Sequence, residues 1–185
     1  MTVARWLLAP VLIASTCAYA GDWRSDASAS RLDFVATFER APAPGRFKAF
    51  DARLRLDPDR LQDSRLEVTI DVGSADMSNG DVNRAIRGAE WFDATRFPQS
   101  RFRSTQLVRS GPGRYVASGT LELKGVQRPV DVPFEWSESG GAATMSGELV
   151  LPRAAFAIGT GEWARTDVIG PDVVVRFRLR LSNAT

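Results

Sequence analysis

The sequence predicts an all-β fold, a closed antiparallel barrel of eight strands with a short helical insertion between strands 3 and 4. Three observations carry this expectation. A hydrophobic period of two returns along most of the chain, the alternating runs are joined by short turn-forming stretches, and one interruption shifts towards a helical period. Side chains alternate between the faces of a strand, so a period of two marks a strand with one face on a core and the other in water.

Leu32, Phe34, Ala36 and Phe38 alternate with Asp33, Val35 and Thr37 in the first strand. Phe47 and Phe50 lead into a second, where Ala52, Leu54 and Leu56 alternate with Arg53 and Arg55. Leu66, Val68, Ile70 and Val72 alternate with Glu67, Thr69 and Asp71 in a third. Pro42-Ala43-Pro44-Gly45 and Asp57-Pro58-Asp59 have the composition of the turns between them. From Ser78 to Phe92 the apolar residues Val82, Ala85, Ile86, Ala89 and Trp91-Phe92 recur at near-helical spacing, with Ser78 or Asn79 as cap. One or two short helices are predicted here, ending at Phe97-Pro98.

Five further strands are predicted over residues 100–108, 114–123, 129–136, 142–151 and 173–181, with tight connections at Lys124-Gly125-Val126 and Gly140-Gly141. The last is the clearest, with Val173, Val175, Phe177, Leu179 and Leu181 on one face and Arg176, Arg178 and Arg180 on the other. Eight antiparallel strands on short connections close into an up-and-down barrel, and a two-sheet sandwich is the competing arrangement.

Residues 1–20 have the organisation of a secretory signal peptide. Arg5 is their only charge, an apolar run extends from Trp6 to Ala14, and Ala18-Tyr19-Ala20 precedes Gly21. The run is too short for a membrane span, which needs about 20 apolar residues. A cleavable leader over 1–20 and one domain over 21–185 are expected. Cys17, the only cysteine, would leave with the leader, and Ala14-Ser15-Thr16 before it is a poor match to a lipoprotein box.

The remaining domain would hold no cysteine, and the whole chain holds no histidine. That excludes disulfides, thiolate chemistry, the Ser-His-Asp triad, histidine-ligated haem and ordinary zinc or copper sites. No cofactor and no metal are expected. Without Arg5 the balance is 23 basic against 22 acidic residues, so no basic stripe for nucleic acid is expected either.

The chain also resembles a known family, the YceI-like proteins. The matching segments are Trp23, Ser30-Arg31-Leu32-Asp33-Phe34, Gly45-Arg46-Phe47-Lys48-Ala49-Phe50, Trp91-Phe92-Asp93-Ala94-Thr95-Arg96-Phe97-Pro98, Phe102-Arg103-Ser104, residues 115–126, Pro129-Val130 and Ala155-Phe156-Ala157-Ile158-Gly159. The resemblance implies a lipocalin-like barrel, a periplasmic location, and a polyisoprenoid or similar long-chain amphiphile held inside. The chain departs from the family's usual pattern around the helical insertion, where Gly80-Asp81-Val82-Asn83-Arg84 lacks the usual Arg-Asp pair and histidine, and at Phe38-Glu39, where a histidine is common. Headgroup recognition is the property those departures touch.

The candidate cavity lining is Phe34, Phe38, Phe50, Leu54, Val68, Ile70, Phe102, Leu121, Phe134, Trp136, Leu149 and Phe177, together with Trp91 and Phe92. Val132 also faces inward, and the small residues Ala36, Ala52, Ala117, Gly119 and Gly147 would leave room among the larger ones. The same alternation would equally describe a core filled by its own side chains. Trp91-Phe92 reads as a plug between helix and barrel or as a closure of the pocket. Asp81, Arg84 and Arg87 are candidate headgroup contacts, or ordinary surface charges. Gly159-Thr160-Gly161-Glu162-Trp163-Ala164 matches a dinucleotide fingerprint by letters, but antiparallel surroundings make it a loop near the barrel mouth. Carboxylates such as Asp131, Glu135 and Glu148 are scattered on polar faces, and no enzyme is expected. The expected function is a lipid carrier with at most transient membrane contact, and a homodimer through an edge strand is compatible with it. The alternative is a filled barrel serving protein interaction or stress response without a ligand.

Overall fold

A computed structural model describes residues 21–184. The expected leader and Cys17 lie outside them. Among the described residues the strands are β1 (Gly21–Ser25), β2 (Arg31–Phe38), β3 (Ala41–Phe47), β4 (Phe50–Leu56), β5 (Arg65–Asp71), β6 (Ala75–Asp76), β7 (Gln99–Gly111), β8 (Arg114–Leu123), β9 (Val126–Ser139), β10 (Ala142–Pro152) and β11 (Asp172–Asn183). One helix, α1 (Gly80–Ile86), follows β6.

All ladders are antiparallel, and the sheet closes because β1 pairs with β4 on one side and β11 on the other. The ring is β1-β4-β5-β7-β8-β9-β10-β11, eight strands, so the barrel expectation is met and the sandwich is not. The first three predicted strands appear as β2, β4 and β5, and each has a further strand next to it in the chain that was not predicted, β1, β3 and β6. A 3-10 turn at Ala27–Ala29 separates β1 from β2, Lys48-Ala49 separates β3 from β4, and a 3-10 turn at Val72–Ser74 separates β5 from β6. Beyond the breaks, β2 continues along β11, β3 along β2, and β6 meets β3 only at Arg46 and Phe47. The ladder does not run on from β6 to β7, and residues 77–98 lie between them in the chain.

Two expectations are corrected. Pro42-Ala43-Pro44-Gly45 is part of β3, not a turn. The turn is Glu39-Arg40, both left-handed at φ 48° and 68°, the twist that suits a two-residue hairpin. Prolines at alternate positions withhold donors from one strand edge only, and β3 has a free edge from Ala41 to Gly45. The helix is also shorter than the spacing suggests. Asn79 caps it, its Oδ1 accepting from the amides of Asp81 (3.0 Å) and Val82 (3.2 Å), but it ends by Arg87 and residues 88–97 form successive turns.

One end of the ring is solid. Leu54, Leu56, Leu66, Leu107, Ala117, Ala143, Met145 and Leu181 are fully buried there. Trp23 meets Trp136 edge-on at 5.3 Å, and Tyr115 stacks on Phe134 at 5.5 Å. Gly119 and Gly147 serve backbone approach rather than free space. At Gly119 a side chain would strike the backbone of Arg103-Ser104, where the β7–β8 register shifts.

Replacing Glu39-Arg40 with Asn-Gly removes the left-handed penalty of two ordinary residues. The double variant is expected to be more stable by about 1 kcal/mol in urea unfolding. A loss of stability would show that the native side chains hold the turn.

Candidate functional site

Away from its solid end the barrel is hollow. The cavity measures about 490 Å³, within the range of small-molecule sites. Phe34, Ala36 and Phe47 form its wall on the β2–β3 side, Phe50, Val68 and Ile70 on β4 and β5, Phe102 and Leu121 on β7 and β8, and Leu149 and Phe177 on β10 and β11. Met145 and Leu66 line it and belong also to the solid half, so they form its floor.

The roof comes from segments without strand structure. Helix α1 contributes Val82, Ala85 and Ile86, the turns after it Trp91 and Phe92, and the stretch after β10 Phe156, Ile158, Trp163 and Ile169. Aromatic contacts join these pieces, with ring centroids at 5.8 Å for Trp91–Trp163, 5.8 Å for Phe47–Phe92 and 5.2 Å for Phe34–Phe47. Phe38 (43% exposed) and Val82 (37% exposed) line the cavity and meet solvent as well, marking its mouth.

Among the described residues the polar groups on this wall are Thr37, Ser100 and Arg153, and no carboxylate lines it. Ser100 donates its hydroxyl to the Glu122 carbonyl at 2.8 Å. Arg153 is buried and spends its donors on backbone carbonyls, including Gly170 from Nε at 2.9 Å and Gly159 from Nη1 at 2.8 Å. The guanidinium's pKa is lowered by burial, yet arginine stays charged. The wall therefore offers a ligand carbon surface and little else.

Among residues expected to line the cavity, Phe34, Phe38, Phe50, Val68, Ile70, Trp91, Phe92, Phe102, Leu121, Leu149 and Phe177 do so. Leu54, Phe134 and Trp136 do not. They face inward but pack into the solid end, with Leu54 in its centre and the two aromatics against Tyr115 and Trp23. Asp81 and Arg84 are strongly exposed on α1 and pair with each other, and Arg87 is exposed just beyond. Phe156, Ile158 and Trp163 were not among the expected lining. They lie in irregular backbone, where no periodicity marks the inward face, and Trp163 sits inside the glycine loop.

The base of the roof is fixed by Asp76. Its carboxylate accepts from Lys48 Nζ at 2.6 Å, Asn83 Nδ2 at 2.8 Å and the Ser78 amide at 3.0 Å. These contacts hold its pKa well below the carboxylate range, Lys48 contributing most, then Asn83. They tie α1 to the β3–β4 break.

The sequence profile of the YceI-like domain matches residues 23–181. A UPF0312 protein of Vibrio parahaemolyticus is 30% identical over 96 residues, 52% of this chain and 51% of its own, so the match spans about half its length. A UPF0312 protein of Shewanella denitrificans is 30% identical over 129 residues, 68% of each chain. Among solved structures, BcnA of Burkholderia cenocepacia superposes with a TM-score of 0.82 at 33% identity, covering 84% of this chain and 98% of that one. A polyisoprenoid-binding domain from Saccharophagus degradans gives 0.70 at 18% identity, covering 87% and 98%, a likeness of fold.

A carboxylate with a depressed folded pKa stabilises the fold above its unfolded pKa, about 4, and that contribution is lost as pH falls towards the folded value. Asp76→Asn is therefore expected to lower the urea midpoint at pH 7 and to flatten its decline below about pH 4. Parallel declines in both proteins would remove Asp76 from the acid response.

Proposed function

Because the chain belongs to the YceI-like family and its barrel is hollow at one end, we propose that it is a periplasmic carrier for a polyisoprenoid or similar long-chain amphiphile, such as an isoprenoid quinone or a fatty-acid derivative. The cavity carries this reading. Its wall is carbon on nearly every side, and the polar groups of Ser100 and Arg153 already have partners. A chain moved from water into such a space gains about 0.8 kcal/mol per buried CH₂, so several isoprene units bind without an ionic contact. The domain named as polyisoprenoid-binding in Saccharophagus degradans shares the fold.

Binding rather than catalysis is supported by the absence of any carboxylate on the cavity wall and of histidine and cysteine from the domain. A carboxylate pair across a cleft is what hydrolysis of a glycoside would ask for. The filled-barrel alternative does not fit an interior that holds a cavity of about 490 Å³. Arg5, the apolar run after it and Ala18-Tyr19-Ala20 support export. The ligand's polar end would lie at the mouth near Phe38 and Val82, within the neighbourhood of Asp81, Arg84 and Arg87 on and after α1.

The test is native mass spectrometry of protein recovered from a bacterial periplasm, followed by organic extraction. A polypeptide mass starting at Gly21, with a releasable polyprenyl or other long-chain lipid, is the expected result. A bare protein that stays bare after exposure to polyprenyl lipids and quinones would overturn the reading. Ala36→Trp places an indole in the cavity and is expected to weaken uptake of a fluorescent long-chain amphiphile by about tenfold or more while the barrel stays folded.

A further inference from the structure

The barrel wall has a seam. β9 and β10 pair only from Ser139↔Ala142 to Glu135↔Ser146, although β9 reaches back to Val126 and β10 runs on to Pro152. Both strands keep their other neighbours along this stretch, β8 for β9 and β11 for β10. The sequence explains why this ladder stops. In the hairpin through Gly140-Gly141, Ser139 faces β10, and alternate residues back along β9 present their backbone to the same neighbour. Those residues include Pro133, Asp131 and Pro129, so two of the three lack an N–H. Gly147 lies against the Pro133 carbonyl, where a Cβ would collide, and beyond it the strands are no longer paired.

A cleft of about 370 Å³ occupies the seam. Its lining includes Pro129, Asp131 and Val150, which point outward, and Val130, Leu151 and Phe156, which also line the central cavity. Residues of both faces of the wall meet in this one cleft, as they do where it lies between unpaired strands. Val150 is 55% exposed at its outer edge, the most exposed large apolar side chain among the described residues. Phe156, 2% exposed, stands between cleft and cavity. The carbonyls on either side of it are held by cations from the β8–β9 hairpin. Lys124 Nζ donates to Ala157 at 2.7 Å, and Arg128 Nε donates to Ala155 at 3.3 Å.

We propose that this seam, plugged by Phe156 and latched by Lys124 and Arg128, is a lateral portal through which the apolar chain of a bound lipid enters and leaves the cavity. The inference rests on the carrier reading and adds a route to it. Parting the seam beyond Glu135↔Ser146 breaks the Lys124 and Arg128 bonds and leaves the paired ladder whole. A hollow with a solid floor and one mouth has to be filled tip first, whereas a slot in its side admits the chain along its length.

Stopped-flow fluorescence with anthroyloxy-stearate as probe tests the route. Arg128→Ala, alone and with Lys124→Ala, is expected to raise uptake and release rates together by about fivefold or more, with affinity unchanged, because a latch alters the barrier and not the bound state. Val150→Cys on a Cys17→Ser background, capped with N-benzylmaleimide, is expected to slow both rates relative to the uncapped variant. Rates that stay the same in the latch variants, or release that rises alone with a matching loss of affinity, would overturn the portal and leave the carrier standing. Failure of the wild-type protein to take up the probe would overturn both.

Discussion

The stretch from Arg153 to Gly170 roofs part of the hollow without a strand, and irregular backbone beside an apolar hollow leaves carbonyl oxygens with neither a ladder nor water to satisfy them. Arg153 supplies the missing donors. Its Nε bonds Gly170, its Nη1 bonds Ile158 and Gly159, and its Nη2 bonds Ile169 at 3.0 Å. It forms no ion pair among the described residues, so its charge is spread over carbonyl dipoles rather than matched by a carboxylate. The rest of the roof depends on that arrangement. With the carbonyls gathered inward on one guanidinium, Phe156, Ile158, Trp163 and Ile169 are set against the hollow. Lysine would not serve, since one ammonium cannot reach carbonyls spread across a planar fork.

The same alternation of residues produces both the solid and the hollow halves, so alternation does not decide which is which. The breaks at 27–29, 48–49 and 72–74 do. On one side of them the sheet is a closed ring of eight, a size whose interior side chains can fill, and Leu54, Leu66, Ala117, Met145 and Leu181 fill it. On the other side β3 meets only the two-residue β6, and a roof of turns and one helix covers the gap that follows. The fully buried leucines are concentrated in the first half, and the second remains open. Asp76, joining Lys48 to Asn83 across the β3–β4 break, is where the two regimes are tied.

This division explains what could be read from the chain beforehand. Strand existence and inward faces were legible because period two survives wherever one face is buried, from Leu32 to Leu181. The order along the barrel axis was not. Leu54 and Val68 look alike in sequence, yet Leu54 lies in the solid half and Val68 lines the hollow, because their height depends on register. Pro42 and Pro44 carried a turn signal that a free edge overrode, while the true turn used Glu39 and Arg40, which carry none. Roof residues such as Trp163 had no periodic partner to reveal them. The family resemblance reached further, because it identified Ala155-Phe156-Ala157-Ile158-Gly159 as a unit before its place was visible.

An unpaired stretch in a barrel wall is normally a hazard, since free donors and acceptors invite another strand. This wall meets the hazard with the chemistry that makes the seam usable. Pro129 and Pro133 withhold donors that an intruding strand would need. Lys124 and Arg128 hold the facing carbonyls with flexible side chains in place of a rigid ladder. A carbon path nevertheless runs along the seam, from Val150 outside through Leu151 and Phe156 to the hollow within. A strand docking on β9 would leave polar groups of its own unmatched opposite Pro129 and Pro133. A hydrocarbon chain has none to match, so the features that exclude a strand leave the way open to a lipid.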